Sequence, residues 1–348
     1  MAAPNTAITR LDLSLTYLEF NLLANLKRFI GLHVLPPLAV EQEASDFARV
    51  SIASLLTKIE ETVRAPRSKY NEDSWEWGKD SYAVEEHGVV EAVDDATVER
   101  YGDVVRVEQI STMRAINRLL QRLEFDIAAA VFNTTTWTGA ALTTAVSVPW
   151  TTVATANPIA DIDAARDKVA AACGEDPNTL VLTRKAFTAM IRTTRLEDLL
   201  KYDASQVLLA VQSGNTNSGI VLDVMSGLKS LLQLDQILVG RGYKNTADKG
   251  QTATLARVWD DTMAMVCVVH DDGIDGDLEN PMPQIGRTIF SSKNNEPIPG
   301  SDEGGLGSII MDEYRDESIR GSKLRPRNKR QVKVIHPEAG HLLTAVTA

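Results

Sequence analysis

The chain has few of the features that mark an enzyme, a metalloprotein or a membrane protein. Its 348 residues include two cysteines, Cys173 and Cys267, in apolar or helical settings. Two thiols make no disulfide framework, which points to a reducing cytoplasm. Charged residues interrupt every apolar stretch well before the ~18 residues that a membrane span requires. The opening MAAPNTAITRLDLSL has no basic segment followed by an apolar one, so it reads as no signal peptide. No CxxC, HExxH or GxSxG occurs, and no GxGxxG follows a strand. Gly300 to Gly307 is glycine-rich but lacks the Lys-Ser/Thr of a phosphate loop. The five histidines, at 33, 87, 270, 336 and 341, have no ligand spacing and read as structural. No cofactor, metal site or catalytic group is expected. Positive charge is also short: net charge is −11 and the pI about 5.1. A free nucleic-acid binder would need a basic footprint.

What is present is a globular chain with 44% hydrophobic residues, long enough for more than one core. Residues 157–191, NPIADIDAARDKVAAACGEDPNTLVLTRKAFTAMI, read as helix, loop, strand and second helix. Ile162, Ala165, Val169 and Ala172 repeat at helical spacing. Asp161 or Asp163 is placed to cap the first helix, and Gly174 and Pro177 end it. Leu180–Leu182 forms a buried strand and Thr183 caps the next helix. Pro36-Pro37 marks an extended lead into a strand at Leu38–Val40. Val107, Ile110, Met113, Ile116, Leu120, Leu123, Ile127 and Val131 share one face of a helix over about 104–133. Its roughly 40 Å exceeds most globular helices. Thr135-Thr136-Trp137 reads as a packing corner. Met263–Val269 reads as a strand buried on both faces. Ile309–Ile335 reads as long charged strands, with Pro326 placing its strand at an edge or on a bulge.

Three stretches leave two readings each. Arg49 to Tyr82 is polar and long for a connection. Its Trp75 and Trp77 pack either on this chain or on an adjacent subunit, where Trp and Arg are favoured. The basic run Lys323 to Arg330 is either a strand laced with salt bridges or a contact for packaged DNA. Asp271 to Glu279 is either a solvated turn or a cradle for a divalent cation; it fails the EF-hand spacing.

The 157–191 segment resembles the helix–PNTLVL–helix passage of tailed-phage major capsid proteins of the HK97-like fold, in the lambda-like group. The stretch FIGLHVLPPLAV at 29–40 and the ending Pro337-Glu338-Ala339-Gly340-His341 resemble the same family. The resemblance implies an α+β fold with an N-terminal arm (1–28), a first peripheral part (29–46) and an extended loop (47–87). It implies a peripheral segment carrying the spine helix (88–156), an axial domain (157–312) and C-terminal peripheral strands (313–348). It also implies self-assembly into hexamers and pentamers of an icosahedral head enclosing double-stranded DNA, without sequence-specific binding and without a membrane. Scaffolding, portal and decoration proteins are the implied partners, and the virion, assembled in host cytoplasm, is the implied location. An encapsulin-type compartment enclosing an enzyme is the alternative; an enzyme is a third class. Arg64, Arg67, Trp75, Trp77, Arg320, Arg325 and Arg327 are the subunit-contact candidates. The cations among them would face acidic surfaces of neighbours such as Glu60-Glu61, Asp94-Asp95 or Asp271–Glu279. Lys69 and Lys79 lie in or near the loop whose Lys cross-links in some relatives, but no partner Asn is assigned to them.

Overall fold

The computed structural model describes residues 28–52, 66–70, 77–101, 107–198, 219–248, 250–270, 283–291 and 309–348. The N-terminal arm, Arg64, Trp75 and the acidic 271–279 loop lie outside these residues. In chain order, a one-turn helix α1 (Gly31–Val34) leads into β1 (Pro37–Val40), β2 (Ala44–Val50), β3 (Trp77–Ala83), β4 (Glu85–Gly88) and β5 (Glu91–Asp94). Helix α2 (Asp95–Tyr101), the long α3 (Val107–Val131) and β6 (Thr143–Ala145) follow. Next come α4 (Pro158–Cys173), β7 (Thr179–Thr183), α5 (Arg184–Ile191), α6 (Gly219–Leu232) and β8 (Gln236–Gly240). The chain continues through β9 (Tyr243–Asn245), β10 (Leu255–Arg257), β11 (Ala264–Cys267) and β12 (Gly286–Ser291). It ends with β13 (Ile310–Asp316), β14 (Gly321–Val334) and β15 (Gly340–Thr344).

Two sheets carry the body. One has five strands in the order β6-β15-β11-β7-β8. Every residue of β7 and β11 is buried, because alternate side chains serve different cores. Val181, Met265, Cys267 and Leu342 face a core shared with α3. Leu180, Leu182, Ala264, Val266 and Leu343 face a second core with Ile162, Ala186, Met190 and Leu228. The sheet is thus the common wall of both cores, and this is why its strands read as unbroken apolar runs. Burial pushes the Cys267 thiol up to about 12, so it stays an inert apolar filler.

The other sheet is built on β14. Its C-terminal half lies between β12 and β4, and its N-terminal half between β13 and β5. This corrects the expectation that Pro326 puts its strand at an edge. The Pro326 carbonyl accepts from Val89 N–H at 3.2 Å, in the gap between β4 and β5. A residue's N–H and C=O point the same way along a strand, so the donor that proline lacks would also face that gap. The ladder towards β13 continues past Pro326. The sheets also cut across the expected boundary at 312. β12 joins the β14 sheet, and β15 joins the five-stranded sheet with β7 and β11.

Helix α3 crosses the β14 sheet. Leu119, Leu120, Leu123, Ile127, Ala128 and Val131 are buried, but burial starts only at Ala115. Met113, expected on the apolar face, is exposed, while Val107, Ile110 and Ile116 are half-buried. Among the described residues, full burial is confined to the C-terminal two-thirds of this rod. In α4, Gly174 closes the helix in the left-handed region (φ 76°), which glycine adopts without strain. The expected cap is different. Neither Asp161 nor Asp163 caps; Asn157 stands at the N-cap without a side-chain bond, and Asp161 accepts from Trp150 Nε1 at 3.0 Å. Thr183 does cap α5, accepting from Ala186 N–H at 3.4 Å. Trp137 is fully buried at its packing corner.

β14 and β5 approach so closely at Gly321 that a methyl group there would overlap the carbonyl oxygen of Val93. Gly321→Ala must therefore spread two backbones rather than shift a side chain. Overpacking of this kind costs about 1–3 kcal/mol. A urea melt of the variant checks this; a midpoint equal to the wild type would mean the strands can separate freely there.

Candidate assembly surfaces

The basic run resolves into two faces of one strand. Along β14 the even positions Leu324, Pro326, Asn328 and Arg330 are buried, and the odd positions are half-buried. This period of two puts Lys323, Arg325, Arg327, Lys329 and Lys333 on the face away from α3. Each meets a carboxylate of the same chain. Lys323 bonds Asp316. Arg325 and Arg327 both reach Asp312 at 2.8 Å. Lys329 reaches Glu43 and Lys333 reaches Asp80, each at 2.8 Å. The neighbouring cations hold the Asp312 carboxyl below the usual range, and Lys323 with the Ser318 donors lowers Asp316 to about 2. Arg330, the one even-numbered cation of the run, is buried under α3. It reaches Asp126 at 3.3 Å and the Leu119 carbonyl at 3.4 Å, and burial lowers it to about 10. The salt-bridged reading of the run is the one observed.

Two of these pairs anchor a projecting hairpin. β2 and β3 pair antiparallel from Ala44–Ala83 to Val50–Trp77 and form a sheet of their own. Neither strand has a buried residue. It is tied to the body along its length: at the base by Lys329–Glu43 and a bond from Ala83 N–H to Gln331 Oε1 (2.8 Å), in the middle by Lys333–Asp80, and near the far end by Arg49–Glu338 (3.2 Å). Phe47 packs against Tyr82 in a tilted ring contact at 6.5 Å. Trp77, at the far end of the paired region, is 62% exposed. Arg67, in the turn Pro66–Arg67, is exposed with φ 70°.

The other contact candidates fall elsewhere. Arg320 sits exposed in the β13–β14 turn with φ 48°. Asp95, expected to face a neighbour, takes a two-point bond from Arg315 of its own chain at 2.7 and 3.3 Å. The structure thus brings Arg325 and Arg327 together on Asp312, and leaves Trp77, Arg67 and Arg320 at separate exposed points. Sequence reasoning missed the anchors Glu43, Asp80, Gln331 and Lys333. Their only signal was polar alternation in strands whose partners lie about 250 residues away.

His341 is buried between Thr144 Oγ1 and the Ala141 carbonyl, both at 2.8 Å. His270 meets Glu175 at 3.0 Å. Among the described residues no cluster of three or more His, Cys, Asp or Glu could hold a metal ion. Among them, too, no helix is long and apolar enough to cross a membrane.

No protein-family model matches the chain. The major capsid protein of Pseudomonas phage JBD67 is 26% identical over 233 residues, which is 67% of this chain and 69% of that protein. A phage-related protein from Bordetella bronchiseptica has a similar structure, with 17% identity, TM-score 0.60, and 93% and 96% of the two chains covered. The capsid of Myoviridae phage XM1 is similar at 7% identity, TM-score 0.53, covering 95% and 94%. The SrpI encapsulin of Synechococcus elongatus is similar at 10% identity, TM-score 0.50, covering 95% and 92%. The chain is thus similar in sequence to a phage major capsid protein, and it has the HK97-like fold of phage capsid subunits.

Proposed function

We propose that this chain is the building block of an icosahedral phage head, and that its work is association rather than catalysis. Subunits gather into hexamers and pentamers that close around double-stranded DNA without reading its sequence. Scaffolding, portal and decoration proteins complete the particle, which assembles in the host cytoplasm and persists as the virion shell. The segments 47–87, 157–312 and 313–348 contribute the extended loop, most of the axial domain and the C-terminal peripheral strands, with β12 and β15 crossing between the last two.

The observation that carries this reading is the β2–β3 hairpin. A two-stranded ribbon is marginal in water by itself. This one buries none of its residues, and what ties it to its own body is four polar contacts along its length. Such a ribbon gains its stability by lying on another subunit, with Trp77 as an anchor; Trp75 and Arg64 belong to the same proposed surface. Each contact is weak, but closed symmetry repeats it many times.

Deleting Lys69–Lys79 should therefore leave a folded subunit that assembles poorly. Trp77→Ala should lower particle yield while moving the melting temperature by less than about 2 °C, as expected of an exposed position. Negative-stain microscopy and calorimetry on the same preparations check both. Normal shells of unchanged stability from the deletion would overturn the hairpin's role. The fold is shared with an encapsulin, so the particle contents matter: packaged DNA supports the phage head, and an enzyme cargo without DNA supports a protein compartment.

A further inference from the structure

The five-stranded sheet carries charge of opposite sign at the two ends of its β7–β8 pair. These strands run parallel in register, with Thr179 opposite Gln236 and Thr183 opposite Gly240. Both begin at acidic turns. Asp176 lies three residues before Thr179, Asp235 lies directly before Gln236, and both are exposed. The Asn178 carbonyl accepts from the N–H groups of Asp235 (2.8 Å) and Gln236 (3.0 Å), which ties the two turns together. Arg166 reaches Gln233 beside them but is already held by Asp163. The strands end at basic residues: Arg184 and Lys185 follow Thr183, and Arg241 follows Gly240. Four residue steps along β7 separate the ends by roughly 13 Å.

At the basic end, Arg184, Lys185, Arg192 and Arg257 line a pocket of about 350 Å³ over Trp150, with no acidic residue in its lining. Lys185 donates to the Ala348 carbonyl oxygen at 3.1 Å, and Arg257 pairs with Asp261 at 3.4 Å. Arg184 and Arg192 stand two helical turns apart on one face, both exposed, and among the described residues neither has an ion-pair partner. Two uncompensated guanidiniums at one pocket are an unbalanced patch on a chain of net charge −11.

We propose that this pocket receives the acidic end of the β7–β8 pair of a second copy of the chain. Arg184 and Arg192 of one subunit would meet Asp176 and Asp235 of the next. A head-to-tail contact pairs the basic end of each subunit with the acidic end of the next, and it is the arrangement that the shell-forming reading calls for around a ring. Head-to-tail contacts close into rings when the rotation permits. The planar guanidinium fork is suited to carboxylates. The inference rests on the shell-forming reading and adds to it the surfaces that meet around a ring.

The test is a charge swap in the full chain. Asp176→Lys/Asp235→Lys makes both ends basic, and Arg184→Glu/Arg192→Glu makes both acidic. At low salt each should fold with the wild-type melting temperature and lose about tenfold or more in particle yield, because each repeated contact turns from attractive to repulsive. All four changes in one chain should restore the yield. Near ~1 M salt the losses should shrink, since screening acts within ~3 Å there. If the basic-end reversal lowers the melting temperature, Arg184→Gln/Arg192→Gln is read instead, and it should still reduce the yield. The proposal is overturned by normal assembly of the double variants, or by a folded fourfold variant that stays unassembled. It is also overturned if only the basic-end variants fail, which would point to a nucleic-acid phosphate or another anion as the occupant. Wild-type chain that forms no particle would instead remove the shell reading itself.

Discussion

Leu123→Asp is expected to destabilise the subunit by at least about 4 kcal/mol, combining lost burial with an unpaired carboxyl in the core. Leu123 is 3% exposed on α3 and packs in the core shared by α1, Trp259 and the two sheets. A domain holds only about 5–15 kcal/mol in total, so the variant should be largely insoluble or assembly-incompetent. Ile116→Asp is the matched comparison. Ile116 is only half-buried at the margin of the same core, so its carboxylate can turn to water and the loss should be about 1–2 kcal/mol. Chemical denaturation of both variants beside the wild type checks the order. Equal losses, or a soluble assembling Leu123→Asp subunit, would mean that the apolar face of the helix is placed wrongly.

The contrast between these two residues shows what the sequence could and could not say. Periodicity identified the long helix and half of its buried face, because that signal is local. It could not say that full burial begins only at Ala115, since coverage is set by strands elsewhere in the chain. The 157–191 segment was legible almost throughout for the same reason: Gly174, Thr183 and the apolar run 180–182 act on their immediate neighbours. Pro326 was misread because its tolerance depends on a gap between β4 and β5, about 235 residues earlier. The alternating cations of β14 were visible as a pattern, but their partners Glu43, Asp80 and Asp312 come from three separate stretches. The pocket at Arg184 drew no attention because its cations are spread from 184 to 257.

Glu124 gave a signal that went unused, a carboxylate set between Leu120, Leu123 and Ile127 on a face that should be apolar. It is 3% exposed and is the acceptor that closes the core. Its Oε1 accepts from Ile30 N–H at 2.9 Å and from Trp259 Nε1 at 2.6 Å, and its Oε2 accepts from Gly31 N–H at 2.7 Å. α1 has no side-chain cap of its own, so the Glu124 carboxyl group supplies the acceptor oxygens that its first N–H groups require. Glu124→Ala leaves three buried donors without a partner. At about 1–3 kcal/mol for each unsatisfied group, partly relieved by entering water, the net loss should be about 3–5 kcal/mol. Glu124→Gln preserves the shape but turns an amide N–H₂ towards a donor, and should lose about 2–3 kcal/mol.

The pH dependence separates this role from simple space-filling. Burial pushes the Glu124 carboxyl above its ordinary 4.5, against the pull of the three donors. A raised folded value means that the folded subunit holds the proton more tightly than the unfolded chain does. The contribution of Glu124 is then complete below the ordinary carboxylate value and is lost as pH rises through the raised one. Gln cannot titrate, so the stability gap between wild type and Glu124→Gln should be widest near about pH 5 and narrow towards about pH 8. Urea melts of both proteins across that range measure the gap directly. A gap that widens with pH would reverse the assignment: the three donors would then outweigh burial, and Glu124 would hold α1 to the spine helix as a carboxylate throughout.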